Sequence, residues 1–321
     1  MQQRSILPRN SALVKSYKLN KVISEINPID SSVSEDTLKQ ELECNIVAEN
    51  WGNVVKILDI CLNKKINIDN SKMMLLLQTF ASIGYKDGLN VLRSLYKIMK
   101  YDTYLAQGEF LLYIAKCNWI NSNVKECLKA LRECLDKYPA LKNDCKILLK
   151  NIILEAIFCR SKAELLNIIE FVQIFTRENK DYYPISILWN YLFLSEWFSD
   201  QQLAKNLIDT NEELRLCIIL MCPALTRYLI KTNRISDVYR LLELLLKHNM
   251  MESYSHVNQM LFDFYCFKRN RSACAEIIKS STVLNISLRE EQYNQFISWS
   301  ISGDPFKFLK KIQIEKIYSK F

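Results

Sequence analysis

Apolar residues recur at intervals of three and four positions through most of the chain, and short polar segments interrupt them. This spacing places the apolar side chains of each segment on one face of a helix. One such segment spans residues 70–83, with apolar positions at Met73, Met74, Leu76, Leu77 and Phe80. The turn Gly84-Tyr85-Lys86-Asp87 ends it, and a second apolar segment follows directly. The pattern therefore predicts short helices joined in pairs.

The same alternation predicts seven helical hairpins and the start of an eighth. Their helices are expected at residues 35–48 and 51–64, 70–83 and 86–100, 103–118 and 121–137, 141–159 and 161–177, 184–198 and 200–209, 212–232 and 235–248, and 253–268 and 271–281. The eighth begins near Arg289. The first helices of successive hairpins start about 36 residues apart on average, which is a typical spacing for helical repeats.

One short motif recurs at that spacing. Val257-Asn258-Gln259-Met260-Leu261 returns as Tyr293-Asn294-Gln295-Phe296-Ile297. A fixed period in the mid-thirties is typical of arrays in which each hairpin buries its apolar face by stacking on its neighbours. The sequence therefore predicts an all-α fold, a right-handed α-solenoid of about seven to eight helical hairpins, over residues 34–302.

Composition agrees with a helical fold. The chain has 321 residues, 49% of them hydrophobic and 24% charged, and its 5 Gly and 6 Pro leave little material for the turns of a β protein. Charged residues interrupt every apolar run before it reaches the roughly 18 to 20 residues of a transmembrane helix. The sequence thus predicts a protein that does not span a membrane.

Basic segments flank the predicted array. Residues 1–33 form a basic, poorly ordered segment by their composition, and no Asp or Glu precedes Glu25. Residues 1–24 have the composition of a mitochondrial presequence, which predicts the mitochondrial matrix, with the cytoplasm as the alternative. Lysines alternate with apolar residues over residues 303–321, and this pattern predicts a basic amphipathic helix that caps the array. Such a helix also suits a phosphate backbone, an anionic membrane surface or an acidic partner.

The residues of common catalytic and metal sites are sparse. The 11 cysteines include no CxxC pair, and their odd number argues for buried, reduced thiols rather than disulfides. His248 and His256 are the only histidines, and no phosphate-binding glycine loop, zinc-protease motif or nucleophile elbow is present. We therefore predict a protein that is not an enzyme and that has no metal, no cofactor and no small-molecule substrate.

The predicted turns resemble those of a known family. Tyr228-Leu229-Ile230-Lys231-Thr232-Asn233-Arg234-Ile235-Ser236-Asp237-Val238, followed by Leu241-Leu242-Glu243-Leu244-Leu245, resembles the middle of a pentatricopeptide repeat. Phe267-Lys268-Arg269-Asn270-Arg271-Ser272-Ala273 repeats this arrangement. The resemblance is best over residues 212–300, and the upstream hairpins are similar to tetratricopeptide repeats.

In pentatricopeptide repeats a polar residue early in the first helix contacts the edge of one unpaired base. Asn258 and Asn294 match this position, and an amide offers both a donor and an acceptor. The resemblance implies single-stranded RNA as the partner, in RNA processing, stability or translation. The basic residues expected to contribute are Arg234, Lys268, Arg269 and Arg271, and the net charge of +8 is compatible with this role.

A second hypothesis is a tetratricopeptide-type scaffold that binds a partner protein within a larger complex. The asparagines then serve only as polar residues of a first helical turn. The two hypotheses differ in what the first helix of each hairpin exposes. Exposed Lys and Arg on these helices favour RNA, whereas exposed Leu, Tyr and Trp favour a protein partner.

Overall fold

A computed structural model describes residues 34–98, 104–159 and 162–302 of the protein. Its regular structure in these ranges consists of fifteen α-helices and one short 3-10 turn, without a strand. The α-helices are α1 (Glu35–Val47), α2 (Trp51–Lys64), α3 (Asn70–Ile83), α4 (Lys86–Ile98), α5 (Tyr104–Ile120), α6 (Val124–Lys137), α7 (Lys142–Cys159), α8 (Lys162–Asn179), α9 (Tyr183–Leu194), α10 (Phe198–Thr210), α11 (Glu212–Lys231), α12 (Ile235–Lys247), α13 (Met251–Phe267), α14 (Arg271–Val283) and α15 (Glu290–Ser302).

The predicted all-α class is confirmed, and these helices lie where the apolar spacing placed them. Their ends differ from the predicted ends by at most four residues. Residues 1–33, for which a targeting signal was predicted, and residues 303–321, for which an amphipathic capping helix was predicted, lie outside the described residues. Localisation in the mitochondrial matrix therefore stays a prediction.

Many helices end with the same backbone geometry. One residue takes a left-handed conformation, and the N–H of the next residue donates to the carbonyl five positions earlier, as in the 2.8 Å bond from Arg234 to Leu229. This is the Schellman arrangement, which satisfies carbonyls that the helix leaves free. The left-handed residues of the helix ends with this bond are Glu49, Lys65, Gly84, Ser122, Asn233, Asn249, Arg269 and Asn285. Only one of these eight is a glycine.

The chain divides into two compact units, Met1–Tyr191 and Leu192–Phe321. In the first unit each helix from α1 to α7 packs on the next one, apart from α2 and α3, and several also pack on the helix after that, as α3 does on α5. Phe80 lies at the centre of this core, edge-on to Trp51 and Tyr85. Gly88 allows α4 to approach, because a β-carbon there would lie 2.6 Å from the Phe80 ring.

In the second unit α11 packs on α10, α12 and α13, and α13 packs on α12, α14 and α15. Buried leucines of α12 and the fully buried Phe262 of α13 form its interior. Phe262 contacts Phe296 of α15, which in turn contacts Trp299. All 11 cysteines of the chain are free, and most are buried, as predicted.

The motif that recurs after 36 residues does not occupy equivalent places. Leu261 is fully buried, whereas Ile297, its counterpart in the motif, is 54% exposed. The buried residues of α15 are Gln292 and Trp299 instead. The loop before α15 is longer than the loop before α13, so the later helix is shifted relative to the motif. A sequence match of five residues thus gave the wrong register between these two helices.

Candidate interaction surface on helix α11

Asn258 is buried, with 2% of its surface exposed. Its Nδ2 donates a 2.8 Å hydrogen bond to Oγ of Ser281, which is also buried. An amide in this position has no edge available to a base. The hypothesis that Asn258 contacts RNA therefore needs correction, because the helix turns this residue into the α13–α14 hairpin. Asn294 is exposed on α15.

Arg234 belongs to an internal network at the start of α12. Its Nη2 donates to the Leu194 carbonyl at 2.8 Å and pairs with the Asp237 carboxylate at 2.5 Å. Arg240 pairs with the other oxygen of Asp237 at 3.1 Å and lies over the Phe193 ring. Asp237 is buried. The guanidinium of Arg234 is thus already used in holding α12 against the end of α9.

Lys268, Arg269 and Arg271 lie on or next to one turn, between α13 and α14, and all three are exposed. The Lys268 ammonium lies 5.8 Å from the centre of the Phe264 ring, and Arg271 donates to the Ser300 carbonyl at 3.0 Å. Of the six predicted site residues, the structure brings these three together. It places Arg234 in a different turn and Asn258 in the interior.

Helix α11 exposes a continuous apolar surface that no sequence motif marks. Leu216 is 62% exposed and Leu220 is 82% exposed, and the exposed side of the helix also carries Ile219. Pro223 and Ala224 continue the same side by one further turn. We call these five residues, Leu216, Ile219, Leu220, Pro223 and Ala224, the α11 ridge. Tyr228, 49% exposed, lies beside its end.

The opposite side of α11 is apolar as well. It buries Leu214, Ile218, Cys222, Leu225 and Leu229 in the second unit. A helix that is hydrophobic all round is normally covered on every side. Exposed leucines that follow one another along a helix, unlike scattered ones, mark an interaction site.

Charged residues stand at both ends of the α11 ridge. Glu212 and Glu213 occupy the first turn of the helix, and Arg227 and Lys231 occupy the last two turns. Each pair is favourable there, because the helix dipole is positive at the first turn and negative at the last. All four residues are exposed. The surface is therefore acidic at one end, apolar in the middle and basic at the other end.

Pro223 adds a polar group to the ridge. It lies inside α11 and has no N–H, so the carbonyl of Ile219 loses its partner within the helix. Ile219 itself is 38% exposed.

The other first helices of this unit do not expose a basic surface. Helix α13 exposes Glu252 and His256, and α15 begins with the exposed Glu290 and Glu291. On α11 the exposed cations are Arg227 and Lys231 in the last two turns, and the partly buried Arg215 donates to the Ile208 carbonyl at 3.4 Å. Apolar and acidic side chains thus outweigh cations on these helices, which is the pattern expected for a protein partner.

Metal-ligating side chains and thiols are the other reactive groups of the described residues. Within these residues, no three His, Cys, Asp or Glu side chains are placed to hold a metal ion. Burial raises the pKa of Cys127 and of Cys222 to about 12, so these thiols stay protonated. No helix in the same ranges is long and apolar enough to cross a membrane.

Comparison with models of protein families, with curated proteins and with solved structures finds no match to this chain. The only signal of the α11 ridge in the sequence is that the middle of Glu212–Lys231 has no polar side when it is drawn as a helix.

Proposed function

We propose that this chain is a non-enzymatic helical-repeat protein that binds another protein through the α11 ridge. Its hairpins would stack as a right-handed solenoid, and the packing of helices on their first and second neighbours within each unit is compatible with that arrangement. The exposed Leu216 and Leu220 on a helix that is apolar all round carry the proposal.

The magnitude of the hydrophobic effect supports a protein ligand. Burying the exposed parts of the two leucine side chains of the ridge contributes roughly 2–4 kcal/mol before the cost of association. A partner helix or loop provides the apolar surface that this gain requires. RNA exposes the faces of its bases, and these stack on aromatic and arginine side chains rather than on leucine.

RNA binding remains a second candidate, supported by the exposed cations Lys268 and Arg269 in the α13–α14 turn. In this version of the function the phosphate backbone would contact the turn, and affinity would fall as salt rises. Asn258 has no part in it, because it is buried.

Photo-cross-linking in cells separates the two candidates. A photoreactive amino acid placed at position 220 is expected to form adducts with protein, and the same group at position 283 of α14 serves as the control, since Val283 is equally exposed. The adducts should disappear when Leu216→Ser is added. RNA adducts from position 269 together with no protein adducts from position 220 would overturn the proposal in favour of RNA.

A further inference from the structure

The charges around the α11 ridge limit what can bind to it. A partner helix must be basic where it meets Glu213 and acidic where it meets Arg227. Helix α11 itself satisfies this requirement when it runs in the opposite direction. We propose that the partner on the ridge is a second copy of this chain, bound through antiparallel α11 helices about a two-fold axis at Leu220. The inference rests on the proposed protein-binding function of the ridge.

The spacing along α11 is symmetric about Leu220. Leu216 and Ala224 each lie four residues from it, and Glu213 and Arg227 each lie seven residues from it. Four and seven residues are about one and two helical turns, so all five positions fall on the same side of the helix. A two-fold axis beside Leu220 would therefore place this leucine against the same leucine of the second copy.

The same axis pairs the remaining positions in a complementary way. Leu216 would meet Ala224 of the second copy, and a large side chain opposite a small one lets two helices pack closely. Glu213 would meet Arg227 of the second copy. Because the contact is two-fold, each of these pairs occurs twice.

Charge also selects the direction of the helices. In a parallel pair, Glu213 would lie next to Glu213 of the second copy, and Arg227 would lie next to Arg227 of the second copy. Like charges in contact disfavour such a complex. The antiparallel pair replaces both repulsions with attractions. The exposed Glu212 and Tyr228 would also meet, and a tyrosine hydroxyl donates well to a carboxylate.

The size of the contact predicts its strength. Helix α11 has 20 residues, and one such helix from each copy buries less than the roughly 1,200–2,000 Å² of stable complexes. We expect a reversible dimer with a dissociation constant on the order of 1–100 µM.

Analytical ultracentrifugation of the purified full chain tests the inference. The wild type should change from monomer to dimer between about 1 and 300 µM. Glu213→Arg and Arg227→Glu should each weaken the dimer by roughly tenfold or more, since each turns two attractions into repulsions. The double variant should regain wild-type affinity to within about threefold, because it restores opposite charges in exchanged positions.

Glu243→Arg on the exposed side of α12 is the matched control and should leave the dimer unchanged. Circular dichroism of every variant checks that the helices remain folded. Single variants that fail to weaken the dimer, or a double variant that fails to restore it, would overturn the antiparallel register.

A wild type that stays monomeric over the whole concentration range would overturn the second copy as the partner. The proposed function fails separately, since it requires protein adducts from position 220 whether or not the chain dimerises.

Discussion

Asn258 and Ser281 form a buried hydrogen bond that joins α13 to α14. The amide Nδ2 donates to the hydroxyl oxygen at 2.8 Å, and both residues are almost fully covered. A buried polar group needs such a partner, because leaving it unpaired costs more than the bond itself contributes. Asn258 therefore acts inside the hairpin rather than on its surface.

Replacing Asn258 with Ala should lower the free energy of unfolding by about 1–3 kcal/mol, since it leaves the Ser281 hydroxyl buried without this donor. Urea denaturation followed by circular dichroism measures the change. Ser281→Ala should cost a similar amount, and the double variant should cost less than the two changes added together. Asn294→Ala, at an exposed position, should change the unfolding free energy by less than about 0.5 kcal/mol. Equal effects at Asn258 and Asn294 would contradict the assignment.

The contrast between these two asparagines shows how far the sequence could predict the structure. Helix positions were predictable because apolar spacing and polar turns are local features, so α12 was placed to within one residue. The burial of Asn258 was not, because it depends on the rotation of α13 against α14. The 36-residue motif carried no information about that rotation, since the loop before α15 has its own length.

The α11 ridge shows a second limit. Apolar spacing identifies a buried side only where the opposite side is polar. Helix α11 is apolar on both sides, so its sequence does not say which leucines are covered by α12 and α13. The packing of the hairpins decides that Leu214 is buried and Leu216 is exposed.

The left-handed residues at the helix ends predict that replacing one of them with glycine raises the stability of the fold. Glu49 in the α1–α2 turn has a φ of 53°, a left-handed conformation that costs an L-residue about 1–2 kcal/mol. Glu49→Gly removes this cost. It also makes the unfolded chain more flexible, which lowers the free energy of unfolding by about 0.4–1 kcal/mol. We expect a net rise in the unfolding free energy of about 0.5–1 kcal/mol, measured by urea denaturation.

Two controls accompany this change. Lys56→Gly, in the exposed interior of α2, should lower stability by about 1 kcal/mol. Gly84→Ala should also be destabilising, because Gly84 has a φ of 75° and a β-carbon there would lie 2.9 Å from Cγ2 of Ile120. Destabilisation by Glu49→Gly would show that the left-handed turn carries no strain.

The Asp237 carboxylate neutralises two guanidinium groups at the start of α12, those of Arg234 and Arg240. Asp237→Asn keeps its shape but leaves two cations close together. Breaking a buried ion pair costs about 3–5 kcal/mol, and the partial exposure of both arginines reduces this to an expected loss of about 2–3 kcal/mol. Chemical denaturation measures the loss. Glu178→Gln, in the exposed pair with Arg132, should cost less than about 1 kcal/mol. Equal losses in the two variants would show that the Asp237 network is no stronger than a surface pair.

His248 should make stability depend on pH. Its imidazole Nε2 lies 3.1 Å from Oδ1 of Asp209. Burial lowers the pKa of His248, and the nearby Arg215 lowers it further, whereas Asp209 opposes the change without reversing it. The unfolded chain, with a histidine pKa near 6.5, then binds a proton more readily than the folded chain does. The folded state loses stability as pH falls below about 6.5, and the loss is complete once pH passes below the folded pKa.

His248→Gln should remove this part of the pH dependence. Urea denaturation at about pH 7.5 and about pH 5.5 brackets the upper end of the titration. The unfolding free energy of the wild type should fall more between these two pH values than that of the variant. His256→Gln alters the other histidine, which is exposed on α13, and should retain the larger fall of the wild type. A steeper fall in His248→Gln than in the wild type would mean that the Asp209 carboxylate outweighs burial, and that protonation of His248 stabilises the fold.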